Sequence, residues 1–107
     1  MNRIELQGAI RSYQQASSID PENLEALNNL AVAYKRTGQL ERAKIILNQA
    51  LAINSAHAGT HYNLAVAYEG EGNIKSTIHF YQNFAELAFA SRPTLSVQVK
   101  KHIKALR

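Results

Sequence analysis

Two histidines, His57 and His61, stand four residues apart, the spacing at which a helix can offer two imidazoles to one metal ion. A zinc-peptidase helix would need a glutamate directly after the first histidine as general base, and Ala58 occupies that place. No third ligand lies nearby, and the chain has no cysteine. His57 is expected in a connecting turn and His61 in partly buried packing. His79 and His102 are single residues on helices, expected at the surface or at its boundary. Ser, Asp and His form no nucleophile arrangement, and no glycine-rich loop could cradle a phosphate. The residue types thus predict a chain that is not an enzyme and uses neither metal nor cofactor.

The second chemistry in the chain is that of the side-chain amide. Asn29 and Asn63 head identical blocks, Asn29-Leu30-Ala31-Val32-Ala33-Tyr34 and Asn63-Leu64-Ala65-Val66-Ala67-Tyr68, 34 residues apart. A glycine follows each block at the same distance, Gly38 and Gly72. An amide offers one acceptor and two donors, so it can hold a peptide backbone regardless of that peptide's sequence.

Six helices must position these groups. Apolar spacing predicts a first helix over about Ile4 to Ser17, ended by the Asp20-Pro21-Glu22-Asn23 turn. Asn23 caps a second helix, which runs to Thr37 and stops at Gly38. A third covers about Leu40 to Ile53, a fourth Ala58 to Glu71, and a fifth Ile74 to Phe89. Pro93 opens the last, which reaches about Leu106. Alternating strand patterns are absent, so the fold class is all-α.

A period of 34 residues, with two helical patterns split by a glycine, marks stacked antiparallel helical hairpins. The content resembles the tetratricopeptide repeat family. Leu27, Leu30, Ala31 and Tyr34 match the first helix of its pattern, and Ala43, Leu47 and Ala50 the second. His61, Leu64, Ala65 and Tyr68, then Thr77, Tyr81 and Phe84, repeat it. The opening segment supplies half a unit through Ala9, Tyr13, Ala16 and Pro21. The resemblance divides residues 1–107, taken as one α-solenoid domain, into a half repeat (1–23), repeats at 24–57 and 58–91, and a capping helix (92–107). His61, Thr77, Phe84 and Phe89 depart from the pattern, and an aromatic at position 84 is expected to push the following helix aside or alter its crossing angle.

The resemblance implies binding rather than catalysis: a concave groove that takes a peptide segment or helix of another protein. The groove-facing positions would be Glu25, Asn28, Asn29, Val32 and Lys35, then Tyr62, Asn63, Val66 and Glu69. Some members of the family use an asparagine ladder there for extended peptides, which puts Asn29 and Asn63 first among the candidates. Others hold the terminal carboxylate of heat-shock chaperones with cations. The corresponding places here carry Asn28, Val32, Asn63, Pro93 and Val97, which disfavours that use.

Charge frames the alternative. The net +4 comes from residues 92–107, where Arg92, Lys100, Lys101, Lys104 and Arg107 meet no acid; the rest of the chain has seven basic and eight acidic residues. An electrostatic adaptor would use this last helix to contact nucleic acid or an anionic membrane. No aromatic accompanies the cations to stack on bases, and Leu95, Val99, Ile103 and Leu106 form an apolar stripe facing the core. Neither nucleic acid nor membrane is therefore the expected partner. Leu6, Ile10 and Tyr13 lack a hairpin partner in the chain and are expected to be partly bare, a possible homodimer surface. The start, Met1 to Gln7, lacks the apolar core of a secretory signal, and no stretch has the ~20 apolar residues of a membrane span, so a cytoplasmic protein is expected.

Overall fold

The computed structural model describes residues 2–107. Among them lie six α-helices: α1 (Arg3–Ile19), α2 (Leu24–Arg36), α3 (Leu40–Ile53), α4 (Ala58–Glu71), α5 (Ile74–Ala88) and α6 (Pro93–Leu106). The chain divides into two compact units, residues 1–55 and 56–107, each holding three helices.

Local sequence sets the helix ends. Asn2 and Glu5 form a reciprocal capping box at the start of α1. Asn23 caps α2 and Asn73 caps α5, each accepting a backbone N–H from three residues on. Gly38 and Gly72 take φ of +80° and +83°, the left-handed conformation that closes a helix. The closure is the same one used twice. Gln39 N–H donates to the Tyr34 carbonyl at 2.8 Å, and Asn73 N–H to the Tyr68 carbonyl at 3.0 Å, 34 residues further on.

In the first unit, α2 packs against both α1 and α3. Its interior is made by Leu6 and Ile10 of α1, Leu27, Leu30, Ala31 and Tyr34 of α2, and Ala43, Leu47 and Ala50 of α3. Leu6 and Ile10, expected with Tyr13 to be partly bare, are each only 8% exposed, while Tyr13 is half-buried. The reason is that α1 lies directly on α2 and buries one stripe against it. The large apolar residues that α1 does expose are Ile4 and Ile19.

In the second unit, α5 packs against both α4 and α6. Ala65, Tyr81, Phe84, Ala85, Ala88, Val99 and Ile103 form its buried cluster. Phe84 stands where the first unit has Ala50, and the added bulk is absorbed by Tyr62, whose ring meets Phe84 edge-on at 5.1 Å. The following helix is not pushed off at this point: Ser96 is fully buried and its hydroxyl donates to the Ala85 carbonyl. Thr77, in place of Ala43, is also fully buried, and its hydroxyl is satisfied within its own helix by the Asn73 carbonyl at 2.7 Å.

Candidate functional site

In the first unit, the α1–α2 junction leaves a cleft of about 190 Å³ lined by Leu6, Ala9 and Tyr13 of α1 and Asn29, Val32, Ala33 and Arg36 of α2. Helical spacing explains the α2 wall: residues 29, 32, 33 and 36 recur at three and four, so they share one face. Asn29 and Val32 are half-buried on that wall. Among the described residues, no hydrogen bond engages the Asn29 amide. The cleft thus offers an apolar bed, an available amide and one guanidinium, which suits a peptide segment better than a small charged ligand.

Asn28, its neighbour, does not join it. Asn28 is 8% exposed, and its amide donates to the Leu24 carbonyl at 2.9 Å, so it is part of the interior rather than an open groove. One step along a helix turns a side chain by about 100°, which separates the two amides despite their adjacency. Glu25 and Lys35 are exposed.

The α4 candidates in the second unit are engaged differently. Tyr62 and Val66 are half-buried and pack on the cluster, with Tyr62 also edge-on to Tyr81 at 5.8 Å. Asn63 is half-buried. Glu69 is not an open groove acid. Its carboxylate accepts the Tyr81 hydroxyl at 3.0 Å, and its other oxygen lies 2.8 Å from His102 Nε2, joining α4, α5 and α6. Burial first, and then this contact with Glu69, raise the Tyr81 phenol well above its ordinary pKa. Nothing in the sequence announced this trio, because Glu69 and His102 are 33 residues apart and meet only once α6 is in place.

The two histidines at ligand spacing do other work. The His57 ring caps α4, accepting the Thr60 N–H at 3.2 Å and lying 2.8 Å from the Thr60 hydroxyl. His61 is buried against Phe80, ring centres 5.8 Å apart. His79 and His102 are exposed. Among the described residues no three His, Asp or Glu side chains converge as a metal site, and no helix is long and apolar enough to cross a membrane.

The family model described as Tetratricopeptide repeat matches residues 5–55. The chain is 31% identical over 75 residues to tetratricopeptide repeat-containing protein trd-1 of Caenorhabditis elegans, a match covering 70% of this chain and 10% of that protein. It is 33% identical over 81 residues to the BBSome complex member bbs-4 of the same organism, covering 76% of this chain and 18% of that one. Sperm-associated antigen 1 of Rattus norvegicus is 30% identical over 70 residues, covering 65% and 8%. The chain therefore spans less than a fifth of the length of these relatives.

Proposed function

We propose, from the premise that this chain belongs to the tetratricopeptide repeat family, that it is a non-enzymatic interaction module whose α1–α2 cleft seats an extended segment or short helix of a partner protein. Tetratricopeptide repeats are generally protein–protein interaction modules, and one relative is by its name a member of a complex. The observation that carries the reading is the cleft itself: Asn29 and Val32 on one wall, Leu6, Ala9 and Tyr13 on the other. A partner backbone would exchange hydrogen bonds with the Asn29 amide, each worth about 1 kcal/mol net, while its apolar side chains rest on Val32 and Tyr13.

Affinity of this kind rests on desolvated apolar contact and amide pairing, so it should depend little on salt. A capture experiment with the wild-type chain and an Asn29→Ala/Val32→Ser variant tests it. Proteins retained by the wild type through a salt wash and lost by the variant support the cleft. An identical set from both chains would overturn it.

A further inference from the structure

A second cleft lies in the second unit and has a different character. It measures about 430 Å³ and is lined by Gln82, Ala85 and Glu86 of α5 and Lys100, Ile103, Lys104 and Arg107 of α6. Ala85 and Ile103 are buried and make an apolar floor. Lys100, Lys104 and Arg107, spaced by four and three residues, make one wall cationic. Glu86 is the one carboxylate in the lining. Phe89 and Val97 are exposed, at 57% and 47%. Helical spacing puts Phe89 on the stripe of Gln82, Ala85 and Glu86, and Val97 on that of Lys100 and Lys104. The Lys100 ammonium lies over the Phe89 ring at 5.6 Å.

We propose that this α5–α6 cleft docks an acidic amphipathic helix of a partner protein. Charge complementarity selects the sign: three cations face one acid across the opening. The apolar floor and the exposed Phe89 and Val97 select a protein over a phosphate polymer. A partner helix can lay leucine-like side chains on that strip while its carboxylates meet Lys100, Lys104 and Arg107. A phosphodiester chain could use only Phe89 of the apolar strip, would gain nothing from Val97, Ala85 and Ile103, and would be repelled by Glu86. The cleft is held open in advance, because the Ser96 hydroxyl ties α6 to the Ala85 carbonyl and His102 ties it to Glu69. Pre-set walls lower the ordering cost of binding. This proposal does not depend on the α1–α2 cleft.

The test is fluorescence anisotropy on the full chain. The probe is a labelled designed helix of about the length of α6, with a leucine stripe flanked by glutamates. Its isomer with lysine for every glutamate, a DNA duplex and phosphatidylserine vesicles are run beside it. The acidic helix should bind, and weaken as salt rises. Lys100→Glu/Lys104→Glu/Arg107→Glu should reduce affinity by roughly tenfold or more. The milder Lys100→Gln/Lys104→Gln pair, which leaves α6 undisturbed, should lose part of that. Phe89→Ser should also weaken binding, and Asn29→Ala should leave it unchanged. Equal binding of the lysine isomer, or indifference to both α6 variants, would overturn the proposal. So would binding of DNA or vesicles through these lysines with none of the acidic helix.

Discussion

Asn28 and Asn29 show how much a single position decides. Both are asparagines on α2, yet Asn28 is buried and bonded to the Leu24 carbonyl, whereas Asn29 lines the α1–α2 cleft. Asn28→Ala should therefore lower stability by about 1 kcal/mol, and Asn29→Ala by no more than about 0.5 kcal/mol. Denaturant unfolding of the two variants checks this, and equal losses would contradict the assignment. The sequence did not separate them, because the repeat pattern assigned both to one groove face, whereas the fold buries Asn28 and leaves Asn29 on the cleft wall. Glu69 was legible as a residue of the α4 face but not as the acceptor for Tyr81. That pair has a pH signature. The Tyr81 phenol is raised by burial first and then by Glu69, so the folded state holds its proton more tightly than the unfolded state. The resulting stabilisation is complete below the ordinary phenol pKa near ~10 and is lost as pH rises toward the higher folded value. Tyr81→Phe should flatten the alkaline fall in melting temperature. An unchanged fall would place its cause elsewhere.

At the scale of the helices, most of the fold could be read directly. Helices α3, α4 and α6 have the expected limits, while α1 is longer at both ends and α2 and α5 each stop one residue earlier than expected, at Arg36 and Ala88. Gly72 fixes the end of α4 and Gly38 closes the turn after α2: each has a positive φ, and the two closures share the same hydrogen-bond pattern. Gly72→Ala and Gly38→Ala should each cost about 1 kcal/mol by thermal unfolding, since an alanine must enter the left-handed region at those points. A neutral outcome at either would mean that the closure is not held by glycine. What one helix's pattern could not reveal was its neighbour. Leu6 and Ile10 read as partly bare from the pattern of α1 alone, but α2 covers them. Leu6→Lys with Ile10→Lys should consequently unfold the first unit, because two charged groups cannot stay in that interior. Circular dichroism that retained full helix content and melting temperature would instead return these residues to the surface.

For the molecule as a whole, the repeat in the sequence is carried by two units that solve the same packing problem with different side chains. In the first, alanines at 43 and 50 keep the interior small; in the second, Thr77 and Phe84 replace them, and Tyr62, Val99 and Ile103 meet the larger core. Residues 92–107 therefore cannot be removed without consequence. Each large apolar side chain stripped of cover loses roughly 1.5–3 kcal/mol, against a usual total of about 5–15 kcal/mol for a domain. A chain truncated at residue 91 should be insoluble or partly unfolded in a solubility and melting assay, and an unchanged melting temperature would make α6 an appendage. If the α1–α2 cleft is a recognition surface, as proposed, and not a packing defect, its lining can be changed without loss of the fold. The most direct test is calorimetric titration of a captured partner segment into the wild-type chain and into Asn29→Ala/Val32→Ser, with melting curves of both. The variant should bind clearly more weakly while keeping nearly the same melting temperature. Undiminished affinity, or affinity lost only together with the fold, would contradict the proposal.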